Sequence, residues 1–308
     1  MYNKRTSALL IATIFSMSSV ALAANNVTIN QDGDDNTADA QQFSTIDSTV
    51  LINQTGTNNE ANATQSNVTD ASANITQTGD DNISTINQSN SVTAMTATIN
   101  TTGDDNINTI TQDDSFNAVA TIWQSNVFSS DASITQVNTS DNSTATISQS
   151  NTTGNVAIIE QDDADDSTAS IAQDNSYGSD AEIQQISVAS ASATISQTNG
   201  SDNSTAFIFQ TGGTNLAAAI SQDRAVSSNA DIYQDGNDLT ANIYQTNGYN
   251  NALIDQSNEF NVATINQSGL GISGNANEAF ITQQGVGDIA TINQTGGAGN
   301  YASIFQGP

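Results

Sequence analysis

The sequence predicts an all-β chain: a two-sheet parallel β-solenoid of about twelve strand–arc–strand repeats of ~23 residues each. Three observations carry this prediction. A Gln recurs every 11 to 13 residues along most of the chain, the residues fixed around it sit at even spacing, and the stretches between are rich in Gly, Asn, Asp and Ser.

The Gln positions come first, because they set the phase. They run Gln31, Gln42, Gln54, Gln65, Gln77, Gln88, then Thr101 in the same slot, then Gln112, Gln124, Gln136, Gln149, Gln161 and Gln173. They continue through Gln185, Gln197, Gln210, Gln222, Gln234, Gln245, Gln256, Gln267, Gln283, Gln294 and Gln306, giving 24 slots of which 23 hold Gln. Two residues earlier stands Ile in 22 cases, among them Ile75, Ile86, Ile110, Ile122, Ile147, Ile195, Ile265, Ile292 and Ile304. Four residues earlier stands Ala in 20 cases, and six earlier usually Asn, Ser or Ala. The unit is [NSA]-x-A-x-I-x-Q. A period of two places all its fixed residues on one face of a strand, whereas a helix would spread them.

The arcs follow from turn chemistry. Segments such as "TGDD", "SNSV" and "TGGT" supply glycine for positive φ and Asx side chains that fold back on the backbone. "QTG" after Gln54 and Gln77 alternates with "QSN" after Gln65 and Gln88, so the true repeat is a pair of strands. The long interval from Gln267 to Gln283 reads as a loop insertion near 268–278. Pro308, the sole proline, stands where it interrupts no ladder.

Residues 1–23 read as a signal peptide outside the fold, leaving 24–308 as the repeat domain. Lys4 and Arg5 precede an apolar run from Ala8 to Phe15, and Ala21-Leu22-Ala23 forms a small-x-small cleavage site. Export through the periplasm to the cell exterior is the expected route. Without that segment Arg224 stands alone against 32 Asp and Glu, a net charge of −31. Nucleic acid and anionic lipid are therefore poor partners, and membrane insertion is not expected. The chain has no Cys and no His, so neither disulfides nor the commonest acid–base side chain is at hand. No catalytic residue is expected.

Stacking explains the amide. A buried Gln without partners costs a few kcal/mol, but in a stack each side-chain carbonyl can accept from the amide one rung away. Each buried Ile adds roughly 1.5–3 kcal/mol, and Ala lets the sheets approach. Slipping one strand by a single residue would turn its Gln and Ile outward, so the register is strongly specified.

The segments "QTGDDNISTINQ" (Gln77–Gln88), "QTGGTNLAAAISQ" (Gln210–Gln222) and "QTGGAGNYASIFQ" (Gln294–Gln306) resemble the curlin repeats of curli fibre subunits. The resemblance covers essentially the whole chain after residue 23. It implies an exported bacterial subunit that polymerises head to tail into functional amyloid fibres for adhesion and biofilm matrix. It also implies nucleator and outer-membrane export factors as partners. The scarcity of basic residues is more like the major, polymerising type of subunit. "VTINQ" begins at Val27, where family members usually carry a non-repeat leader, and twelve repeats exceed the usual handful.

Other readings compete at particular residues. The arcs holding Asp34, Asp35, Asp80, Asp81, Asp104 and Asp105 are weak metal candidates, since Ca²⁺ takes carboxylate and carbonyl oxygens. The simpler reading is that Asp is a good turn residue and a solubilising charge. No cofactor is called for beyond weak Ca²⁺ screening of these arcs. Thr85 with Asn87, Thr109 with Thr111, Thr264 with Asn266 and Thr291 with Asn293 suggest an ice-binding array as an alternative. Phe207, Phe209, Tyr233, Tyr244, Phe280 and Phe305 should face outward, for cross-strand stacking or lateral contacts. Carboxylates are expected mainly in exposed arcs. The open edges are expected near Val27–Gln31 and Ser303–Gln306.

Overall fold

Even spacing of Ala, Ile and Gln becomes a column of buried side chains once strands stack. In the computed structural model, which describes residues 24–307 and the backbone of residues 9–15, the described residues form twenty-five strands and no helix. Odd-numbered strands, from β1 (Leu9–Phe15) and β3 (Thr37–Phe43) to β25 (Tyr301–Gln306), build a 13-stranded sheet I. Even-numbered strands, from β2 (Asn26–Asp32) to β24 (Ile289–Gln294), build a 12-stranded sheet II. The chain therefore crosses from one sheet to the other at every arc, and each strand pairs in parallel with the strand two elements away. The expected parallel solenoid is the fold.

Register follows the repeat unit. Ile75 of β6 (Ser72–Thr78) lies beside Ile52 and Ile99 in sheet II, and Ile86 of β7 (Ile83–Ser91) lies beside Ala63 and Ile110 in sheet I. In β6 the side chains alternate strictly: Ala73, Ile75 and Gln77 are buried, while Ser72, Asn74 and Thr76 face solvent. One Ala–Ile cluster runs the length of the molecule between the sheets. Two smaller clusters fill arcs, Val68 with Ala71 and Met95, and Ala164 with Val188, Ala191, Leu216 and Leu239.

The interruption expected near 268–278 is a connection between β22 (Val262–Gln267) and β23 (Asn277–Gln283), pinned by an antiparallel bridge of Ile272 and Asn275. Of the segment read as a signal peptide, all but residues 9–15 lies outside the described residues. Those seven residues, expected to stand outside the fold, run as β1 along the free edge of β3, with Ile14 opposite Gln42. An exposed row of backbone donors and acceptors is a template for any extended segment within reach.

Candidate functional site

The Gln side chains form two hydrogen-bonded ladders, one per sheet. In sheet I every inward-facing Gln from Gln42 to Gln283 donates Nε2 to Oε1 of the Gln one coil further on, ending at Gln306, at 2.7–3.0 Å. Second hydrogens go to backbone carbonyls: Gln88 donates to Ser72 O at 3.1 Å, for example. Buried amides so satisfied add stability without the desolvation cost of an orphan group.

Sheet II holds Gln31–Gln54–Gln77 and then Gln124 through Gln149, Gln173, Gln197, Gln222, Gln245 and Gln267 to Gln294. Thr101 breaks it, because its side chain is too short to carry the rung. Around the break, two positions that elsewhere hold Ala are polar. Ser84 Oγ accepts from Gln77 Nε2 at 2.9 Å, and Asn108 donates to Thr101 Oγ1 at 2.8 Å and Gln124 Oε1 at 2.7 Å. Three departures from the repeat thus form one repair.

A third ladder was not anticipated. The residue six before each sheet I Gln is always Asn or Ser, and its side chain accepts from the backbone of the next coil. The column runs Asn36–Asn59–Asn82–Asn106–Ser130–Asn155–Ser179–Ser204–Ser228–Asn250. It closes with Asn277 donating its side-chain Nδ2, not its backbone N–H, to Asn250 Oδ1, and Asn300 N donating to Asn277 Oδ1. The same slot before sheet II mixes Ala71, Met95, Ala118, Leu216 and Leu239 with polar residues. Sorting the slot by alternate repeats separates the two edges, a signal present in the sequence.

The acidic arcs are stacked turns. Asp35, Asp81 and Asp105 take left-handed backbone at φ 56°, 57° and 59°. Their neighbours hold the stack: Asp80 Oδ1 accepts from Thr57 N at 2.7 Å, Asp104 Oδ1 from Asp80 N at 2.8 Å, and Asp81 Oδ1 from Asn58 Nδ2 at 2.7 Å. Among the described residues no group of three or more His, Cys, Asp or Glu side chains converges on a point where a metal ion would sit. Gly33, Gly56, Gly79 and Gly103 line the same arcs so closely that a Cβ on Gly79 would lie 2.0 Å from Gly103 O.

Most carboxylates lie in the arcs or at strand ends, and a minority stand on a strand face. Asp131, Asp180 and Asp231 sit on the outer face of sheet I, where burial pushes each carboxyl above its ordinary value. Burial beside Asp231 and Asp255 likewise raises the Tyr233 hydroxyl. The cause is bulky neighbours: Phe207 meets Tyr233 edge-on with ring centroids 5.6 Å apart, and an open groove of about 340 Å³ runs between Ile158, Glu182, Phe207 and Asp231. The expected outward aromatics are split, with Tyr244 alone of the six on sheet II. The Thr pairs of the ice-binding reading are split too, Thr85 and Thr109 on sheet I and Thr264 and Thr291 on sheet II, so they form no single array.

The two ends named from sequence belong to different sheets. β2 closes sheet II and β25 closes sheet I, so a following copy would set its β2 on β24 and its β3 on β25. Gln31 and Gln306 lie at the two ends of separate ladders, and both are only partly buried. No protein-family model matches the chain, and no curated protein matches it at a significant level.

Proposed function

We propose that this chain is a secreted structural subunit that stacks end to end, strand on strand, into extracellular fibres of the curli type. Adhesion and biofilm matrix are the roles that the curlin-repeat resemblance implies. The supporting observation is the polarity of the ladders. Every Gln–Gln rung donates in the same direction, so the two ends of the Gln ladders are chemically different. At one end Gln42 Oε1 is buried with no donor among the described residues. At the other, among the described residues, Gln306 Nε2 donates only to Ile289 O at 3.3 Å, and Gln294 Nε2 only to Glu278 O at 2.7 Å. Donors at one end and acceptors at the other favour head-to-tail contact, which grows as an open filament. The strand β1 is an instance of the β3 edge accepting a parallel partner, and cleavage of the leader frees that edge.

The experiment is assembly of the purified chain, followed by dye binding and fibre diffraction, with and without Ca²⁺. A reflection at about 4.7–4.8 Å along the fibre is expected. Gln42→Leu and Gln306→Leu should slow elongation more than Gln173→Leu, which lies mid-ladder. A chain that stays monomeric, or three variants with equal elongation rates, contradicts the proposal.

A further inference from the structure

The two outer faces differ in charge far more than the composition requires. The three outward positions between the arc and the ladder Gln, on each of twelve strands, make thirty-six per face. On sheet I, from β3 to β25, nine are carboxylates: Asp39, Glu60, Asp131, Glu160, Asp180, Glu182, Asp231, Asp255 and Glu278. On sheet II none of these is charged, and carboxylates stand only at strand ends such as Asp32, Asp174 and Asp223. That face is Thr, Ser, Asn and Ala for most of its length, as in Thr146, Ser170 and Thr194 on the adjacent strands β12 (Thr144–Ser150), β14 (Thr168–Asp174) and β16 (Ser192–Thr198). Trp123, on β10 (Val119–Phe128), projects from it at 43% exposure.

We infer that the sheet II face is a lateral docking surface for a second copy of this chain, packed face to face. The inference deepens the fibre reading, because it adds a side contact to end-on growth. Charge selects the occupant. A copy carrying −31 meets carboxylates on the sheet I face and on the arcs, and meets none across the centre of sheet II, where Asp32, Asp174 and Asp223 stand only at the strand ends. Stacked uncharged side chains on both partners can interdigitate in a dry zipper, with the sheets about 10 Å apart. The area is adequate: eleven spacings of about 4.8 Å by a width of about 17 Å give roughly 900 Å² per copy, against about 800 Å² per partner in stable complexes. Acidic arcs flank the contact at its rim, where salt screens them.

Trp123 is the sole tryptophan, and it lies mid-stack, so end-on growth leaves it exposed and face pairing covers it. The test compares acrylamide quenching of Trp123, sedimentation mass of the soluble chain, and fibre mass per unit length. Three proteins are needed: the wild type, a sheet II variant (Thr146→Asp, Ser170→Asp, Thr194→Asp), and a matched sheet I variant (Thr85→Asp, Thr109→Asp, Ser133→Asp). Wild type and the sheet I variant are expected to protect Trp123 on association and to show about twice the mass of a single solenoid. The sheet II variant should stay single, with Trp123 open, while fibre length is unchanged. If no fibres form, the end-on reading fails, and pairing is still read from the soluble chain. Trp123 equally open in associated and isolated wild type, equal pairing in both variants, or protection of Trp123 by ice or a neutral glycan without any change in chain mass each overturns the inference.

Discussion

Asn108 Nδ2 donates to Gln124 Oε1 at 2.7 Å across the interior, from sheet I to sheet II. The bond restores a rung that Thr101 cannot make, since the Thr101 hydroxyl reaches Gln124 Oε1 only at 3.4 Å. Asn108→Ala should therefore lower stability by about 1–3 kcal/mol, the cost of leaving a buried acceptor poorly paired. Thr101→Gln alone should also destabilise, because the longer side chain collides with Asn108. Combined with Asn108→Ala and Ser84→Ala it should regain most of the loss. Denaturation midpoints read this directly, and additive effects of the three changes would show that the sites are independent.

Two glycines with positive φ should respond differently to a methyl group. Gly154, at φ 66°, has nothing within 4 Å of its would-be Cβ, so Gly154→Ala should cost about 1 kcal/mol for the left-handed backbone alone. Gly79, at φ 123°, would place the methyl 2.0 Å from the next coil's carbonyl. Gly79→Ala should cost more than about 3 kcal/mol, from strain and overpacking together. Comparing the two midpoints checks whether arcs are stacked as closely as the sheets.

Acidification should stabilise the fold. Burial raises the carboxyls of Asp131, Asp180 and Asp231, so protonation favours the folded chain. Their contribution is complete below the ordinary Asp value of 3.8 and is lost as the pH climbs through the raised folded values. Stability should rise from neutral pH down towards that range. Replacing all three by Asn should raise stability at pH 7 and flatten the profile. Parallel profiles for wild type and triple variant would assign the pH dependence to the arcs instead.

The side-chain period of two, the Gln phase and the turn residues determined the strands, the register and the parallel stack by themselves. Each of these is local, and stacking like on like needs no further information than the repeat: Ile75 falls beside Ile52 and Ile99 because 23 and 24 residues separate them. What the repeat leaves open is how alternate units sort in space. Thr101 and Asn108 are 7 residues apart, and Asn108 and Gln124 are 16 apart, yet they meet only because consecutive strands face each other across the core. The same alternation sends Asp131, Asp180 and Asp231 to one face and Thr146, Ser170 and Thr194 to the other. It also puts β2 and β25 at the ends of different sheets. The tertiary structure decided these points, because contacts between sheets and the chemistry of each face depend on where the chain turns, while the repeat records only that it does.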